Sequence, residues 1–252
     1  MNVVPASDFG DAQLAQLFEG GYEGYFVPIH VDEAAFAFMV DAWDIDLDRS
    51  GVAVENGSPV GVAMLGVRGD RGWIGGLGVL PAHRRGGVGR ALMEAVLADA
   101  PPSVSLEVIE QNERALRLYE TLGFERTRIL EIWSLNADVP AAGARSVEPR
   151  PLDQDDLPWQ RDSRSLPASY ERLEVAGGAA LVRSSGARVD VLQLEARDAD
   201  AAAELLAAAR ASGESLHYVN VPEGDPASAA FRSLGGTLDL RQFELQKTRE
   251  GR

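Results

Sequence analysis

The residues best placed to do chemistry form two groups: Arg84-Arg85-Gly86-Gly87-Val88-Gly89-Arg90, and, further on, Asn112 followed by Tyr119. In the first group, Val88, Ala91, Leu92, Ala95 and Val96 recur at helical spacing, so a helix must begin inside the glycine cluster. Its first N–H groups have no carbonyl partner and its dipole favours negative charge, which makes that end an anion site. Glycines let the backbone approach a phosphate without a Cβ in the way, and the arginines add charge-assisted hydrogen bonds. In the second group, Asn112 suits the N-cap of a helix and Gly123 its C′ stop. Ala115, Leu118, Tyr119 and Leu122 supply the helix's apolar stripe.

Two strands must carry these groups. Trp73–Leu80 is a short apolar run closed by Pro81, with interior glycines that mark a bulge or a close approach. Ser103–Val108 alternates, with Val104, Leu106 and Val108 on one face and Ser103, Ser105 and Glu107 on the other. The glycine turn lacks the Gly-Lys-Ser/Thr ending of a nucleoside-triphosphate loop and the wider glycine pattern of a dinucleotide fold.

Arg84, Gly87 and Gly89 match, position by position, the R-x-x-G-x-G signature of the Gcn5-related N-acetyltransferase (GNAT) family. The run N-x-x-A-x-x-L-Y-x-x-x-G-F, from Asn112 to Phe124, resembles the same family. The resemblance is strong over residues 73–124 and weak outside them. It implies acetyl-CoA as co-substrate, with the pyrophosphate on Arg84, Arg85, Gly86, Gly87, Val88, Gly89 and Arg90. The pantetheine arm would lie against Leu77, Gly78 and Val79 and be held by Asn112, with the Tyr119 hydroxyl near the thioester sulfur. The string Leu106-Glu107-Val108, with Asn112 and Tyr119 beyond it, looks like the ribosomal-protein N-terminal acetyltransferase branch. That likeness implies Glu107 as base and Tyr119 as acid. The division is chemically sensible, because an amine must lose a proton to attack a thioester and the departing thiolate benefits from gaining one.

The family places acceptor recognition ahead of this core. Here Asp11–Glu19 reads as a helix ended by Gly20 and Gly21, Tyr22–His30 as an aromatic loop, and Ala34–Trp43 as a second helix. Tyr25, Phe26, His30 and Trp43 are the candidate substrate residues, since aromatics give large rigid contact area. The chain carries a net charge of −15, and residues 1–136 hold 20 acidic against 10 basic residues. Such a surface attracts a cationic small-molecule amine or a basic peptide N-terminus and disfavours nucleic acid. His30, His83 and His217 stand without metal-like neighbours, so no metal is expected, and the absence of cysteine excludes disulfides and thiol catalysis. No basic leader or long apolar run opens the chain, which predicts a cytoplasmic protein, monomer or homodimer, away from the membrane.

The expected organisation is a GNAT domain at residues 1–136, a linker at 137–146 and a second domain at 147–252. That second domain reads as strands at 179–183 and 189–194, a helix at 200–211, a strand at 216–221, a helix at 226–234 and a strand at 237–245. Its Pro226–Gly236 stretch echoes the Asn112 helix, with Phe231 in the place of Tyr119. Between Leu194 and Ala201 it has carboxylates where the glycine turn would be. The fold class is therefore α/β (α+β): two tandem GNAT-like domains, each a mixed, mostly antiparallel sheet flanked by helices, the second degenerate and without a cofactor loop. After Phe124 only one clear strand, Arg128–Leu135, remains where the family ends with two, so a strand comes from the other half or the usual hairpin is reduced. The expected activity is acetyl transfer from acetyl-CoA to a primary amine by direct attack. The alternative is a CoA-binding regulatory or scaffold protein without turnover.

Overall fold

The computed structural model describes residues 1–140, 142–152 and 154–249. The chain forms two compact units. Unit 1 comprises residues 1–108 and 112–126 together with the C-terminal segment from Leu245 on; unit 2 comprises residues 109–111 and 127–244. The units thus interleave along the chain, and most of the divisions fall inside strands. Within the expected linker, residues 137–140 and 142–144 carry no helix or strand, whereas Arg145 and Ser146 open a strand; Ala141 lies outside the described residues, as do Asp153 and residues 250–252 of the expected second domain.

Unit 1 contains, in order, β1 (Asn2–Pro5), α1 (Asp11–Gly21), α2 (Glu33–Ala42), β2 (Gly51–Glu55), β3 (Ser58–Arg68), β4 (Arg71–Val79), α3 (Val88–Ala98), β5 (Ser103–Ile109) and α4 (Glu113–Thr121). The strands follow the order β1-β2-β3-β4-β5, antiparallel up to β4 and parallel between β4 and β5. Next to β5 comes the end of β12 (Thr237–Thr248), the portion from Leu245 on that belongs to this unit. Val104, Leu106 and Val108 are buried as the alternation predicts. On α3 the buried face is Val88, Leu92, Met93, Val96 and Leu97. Met93 and Leu97 thus stand where the sequence pattern put Ala91 and Ala95, and Ala95 is exposed. The larger side chains on the neighbouring flank bury more apolar surface, which turns the helix toward them. On α4 the buried residues are Leu116 and Tyr119, whereas Ala115 and Leu118 are only half-buried because they line a cleft.

Unit 2 contains β6 (Glu125–Leu135, from Thr127 on), β7 (Arg145–Val147), β8 (Glu171–Val175), β9 (Gly178–Ser185), β10 (Arg188–Ala196), α5 (Ala199–Arg210), β11 (Ser215–Pro222), α6 (Pro226–Ser233) and β12 as far as Glu244. Its strand order is β12-β6-β11-β10-β9-β8-β7, with β10 and β11 parallel. β8–β9, β9–β10 and β6–β11 are antiparallel. Leu205, Leu206, Tyr218, Phe231, Trp133 and Leu216 lie in one buried cluster. The order parallel pair, preceding antiparallel hairpin and a helix after each parallel strand is the same in both units.

Candidate acetyl-CoA cleft

The register between β4 and β5 consists of Arg71↔Ser103, Gly72↔Val104 and Trp73↔Ser105. Both strands run on, β4 to Val79 and β5 to Ile109, and there they splay. A bulge helps to turn β4: Ile74 pairs with Leu65 and Gly76 with Met64, leaving Gly75 as the extra residue. On the far side of the splay, α1 presses its end onto β4. A Cβ at Gly21 would sit 2.7 Å from the Gly78 Cα, so only glycine permits this backbone contact. The guanidinium of Arg84 then ties the corner. Its Nε donates to the Val79 carbonyl (2.9 Å), and its Nη2 to the carbonyls of Gly21 (3.1 Å) and Glu23 (2.7 Å). Arg84 therefore fastens the loop after α1 to the end of β4, and what it presents toward an anion is backbone more than side chain.

The glycine turn follows. Arg85 has φ 73° and Gly87 φ 84°, and Gly87 is the N-cap of α3, in the left-handed conformation. The first helical bond is Ala91 N–H to the Gly87 carbonyl (3.0 Å), so the amides just before it open the helix as anion donors. In front of them is a cleft of about 380 Å³. Arg84, Arg85, Gly87, Val88, Gly89 and Arg90 line one side, and Leu77 and Val79 the strand side. Asn112, Arg114, Ala115 and Leu118 of α4 close the third side. Gly78 faces Gly21 instead, and Gly86 lies in the turn without lining the cleft.

Asn112 caps α4, its Oδ1 accepting from Ala115 N–H at 3.2 Å, and its side chain also hydrogen-bonds the Tyr25 hydroxyl. The Tyr22 hydroxyl accepts from Leu77 N–H at 3.2 Å, just past the splay. Tyr119 lies behind the cleft wall, 6% exposed, with its ring 6.0 Å from that of Phe124. Burial first, then repulsion from Tyr22 and Tyr25, drives the Tyr119 phenol far above its usual pKa. Burial does the same to Tyr22 and, less strongly, to Tyr25. All three phenols therefore keep their protons throughout the physiological range.

Glu107 sits on β5 and is half-buried, its Oε2 accepting from the Trp73 indole N–H at 2.7 Å. A hydrogen bond to a charged acceptor contributes about 1.5–3 kcal/mol, so this contact fixes where the carboxylate points. Trp73 in turn meets Trp43 edge-on, ring centroids 5.6 Å apart. The four candidate substrate residues therefore separate. Tyr25 and Phe26 line the cleft, and Trp43 packs on Trp73. His30 borders a neighbouring hollow of about 470 Å³, its ring 3.0 Å from Glu19.

Tyr22 and Arg114 are among the cleft residues that the sequence does not single out. Tyr22 opens the loop after α1, and its signal is the aromatic cluster Tyr22-Tyr25-Phe26, whose rings pack in sequence at 5.1 and 5.3 Å. Arg114 had a clearer signal. A cation in the first turn of a helix opposes the macrodipole, which is a cost unless an anion sits beside it. Among the described residues no metal-binding group of three or more His, Cys, Asp or Glu occurs, and no helix is long and apolar enough to cross a membrane.

Unit 2 has the same splay but fills it. The β10–β11 register ends at Val191↔Tyr218. Beyond it, Arg161, 2% exposed, bridges the strands. Its carbonyl accepts from Gln193 Nε2 on β10 (2.8 Å), its Nη1 donates to the Asn220 carbonyl on β11 (2.9 Å), and its Nη2 meets the Tyr218 hydroxyl. The equivalent helix, α5, is capped by its own Asp198, whose carboxylate accepts from Ala201 N–H at 2.9 Å. That backbone bond, with Arg197 alongside, holds the Asp198 pKa low. Phe231, in the place of Tyr119, stacks on Trp133 at 5.6 Å.

The sequence model of the Acetyltransferase (GNAT) family matches residues 13–124. Among curated proteins, a mycothiol acetyltransferase from Clavibacter sepedonicus is 44% identical over 85 residues, which is 33% of this chain and 27% of that protein. The chain thus spans about a quarter of the length of such relatives. Among solved structures, a GCN5-related N-acetyltransferase from Sphaerobacter thermophilus has a TM-score of 0.71 at 16% identity, covering 100% of this chain and 96% of that one. A tandem GNAT protein from the clavulanic acid biosynthesis pathway has a TM-score of 0.66 at 16% identity, covering 100% and 99%. The structural likeness concerns the fold, a tandem GNAT arrangement, and residues 13–124 match the GNAT acetyltransferase family in sequence.

Proposed function

We propose that unit 1 transfers an acetyl group from acetyl-CoA to the primary amine of a small molecule or a peptide N-terminus. One observation carries this reading. A chain of net charge −15 gathers Arg84, Arg85, Arg90 and Arg114 with a glycine-opened helix N-terminus around a single cleft. That concentration of positive potential suits a ligand bearing several phosphates. Leu77, Val79, Ala115 and Leu118 supply a narrow apolar channel beyond it for a pantetheine arm, leading toward Tyr22, Tyr25 and Tyr119.

In this reading the acceptor nitrogen attacks the thioester carbonyl, a C–N bond forms and the C–S bond breaks. Glu107, aimed by Trp73, takes the ammonium proton through water, and Tyr119 gives its own to the departing thiolate. A phenol whose anion is strongly disfavoured by burial is a willing donor only to a strong base, which a thiolate in a dry cleft is. Thiol release should therefore be followed with a panel of acceptors: polyamines, aminoglycosides, Ala- and Ser-starting peptides, and, because of the curated relatives' name, mycothiol-type amines. Turnover with none of them, together with no slow hydrolysis of acetyl-CoA alone, would leave only the binding-protein alternative.

Two further outcomes are expected. Glu107→Gln should lower kcat/KM at neutral pH by about 10- to 100-fold, while calorimetric affinity for acetyl-CoA stays unchanged. Arg114→Ala should weaken acetyl-CoA about tenfold, and the loss should shrink at high salt because the contact is exposed to screening. An unchanged dissociation constant would remove Arg114 from the phosphate site.

A further inference from the structure

Lys247 is the one lysine in the sequence, and it reaches the helix that carries Tyr119. Its Nζ donates to the Leu122 carbonyl, at the C-cap of α4, and lies 3.3 Å from where a Cβ on Gly123 would be. A cation there complements the negative end of the helix dipole. The same turn holds Tyr119. Leu122 N–H and Phe124 N–H both donate to the Tyr119 carbonyl, at 3.0 and 3.1 Å.

The segment bearing Lys247 is itself anchored where α3 ends and β5 begins. Arg249 N–H donates to the Pro102 carbonyl (2.8 Å) and Gln246 Nε2 to Ser103 Oγ (2.8 Å), at the start of β5. Arg249 Nη1 reaches the Ala98 carbonyl at the end of α3 (3.4 Å). Residues 246–249 thus refer the end of α4 to β5, the strand of Glu107, and to α3, the helix of the glycine turn. α4 has only nine residues, too short to hold its last turn unaided.

We propose that Lys247 is a positioning residue for acetyl transfer: by closing the last turn of α4 it sets the Tyr119 hydroxyl against the thioester. The proposal rests on the acetyl-transfer reading above. It assigns the cofactor-less half a task in catalysis, that of delivering this segment. Asn112, at the opposite end of α4, has its own cap bond and should not feel the loss.

The test compares full-length Lys247→Met, which keeps length but loses charge and donors, with Lys247→Arg. Lys247→Met should lower kcat about tenfold, since small misplacements of a reacting group are costly, with the acetyl-CoA dissociation constant unchanged within about twofold. Amide exchange should quicken at Leu122–Phe124 and stay as it was in α3, and Lys247→Arg should restore both readouts. Faster exchange with kcat intact would make the tie merely structural and overturn the proposal. So would unchanged exchange, or a parallel fall of kcat, affinity and melting temperature. If the exchange change appears but the wild type acetylates nothing, the acetyl-transfer reading has failed and the clasp has not.

Discussion

Gly87→Glu should abolish acetyl-CoA binding while leaving the chain folded. Gly87 has φ 84° and ψ −1° at the N-cap of α3, a conformation that costs a side-chain-bearing residue about 1–2 kcal/mol. A carboxylate there gains about 0.3–1 kcal/mol from the helix dipole, so the fold loses little. The ligand loses much more, because the new charge stands among the amides meant for phosphate. Calorimetry should show one acetyl-CoA site per wild-type chain and an affinity at least about 100-fold weaker in the variant, a difference of about 2.7 kcal/mol. Gly87→Ala, which adds the strain without the charge, should fall between. The protein contains its own version of the experiment, since Asp198 occupies the N-cap of α5 in unit 2. Two sites in the wild type would mean that Arg161 and Asp198 do not close the second splay.

Tyr119→Phe should lower kcat by about 10²- to 10³-fold, the usual worth of a positioned general acid, with acetyl-CoA affinity and melting temperature nearly unchanged. The ring is packed against Phe124 and almost wholly buried, so phenylalanine fills the same space. Burial raises the phenol's pKa far above the working range, which gives the sign of the pH dependence. The proton is present at neutral pH and is still present as pH rises through the physiological range, so Tyr119 should contribute no descending limb there. A descending limb that vanishes in Tyr119→Phe would contradict that. A kcat within about twofold of wild type would show that the thiolate leaves without this proton.

What was legible in the sequence, and what was not, follows from the range of the interactions. The Asn112 cap, the Gly123 stop, the helix opening within the glycines and the buried face of β5 are set by neighbours a few residues away, and all are found. The interior glycines of β4 did mark both a bulge, at Gly75, and a close approach, at Gly78. The single strand after Phe124 leaves open a strand supplied by the other half or a reduced hairpin; residues from Leu245 on group with unit 1. Strands β1, β2, β3, β7 and β8 have no such local signal, because their identity depends on pairing rather than on local propensity. The task of Arg84 was hidden for the same reason. Its carbonyl partners at Gly21 and Glu23 lie 63 and 61 residues away, and no motif announces them. The plug in unit 2 depends on Arg161 meeting Asn220, which no local pattern connects.

The exchanged segment also sets a timetable for biosynthesis. Lys247 and Arg249 contact residues 125 and 151 positions earlier, so unit 1 waits on the ribosome with its sheet one strand short until residues 245–249 have been made. Such long-range closure is slow, and in the interval the edge at β5 is open to pairing with other chains. A chain that stops before residue 245 would leave unit 1 without the end of β12 and without the ties made by Lys247 and Arg249.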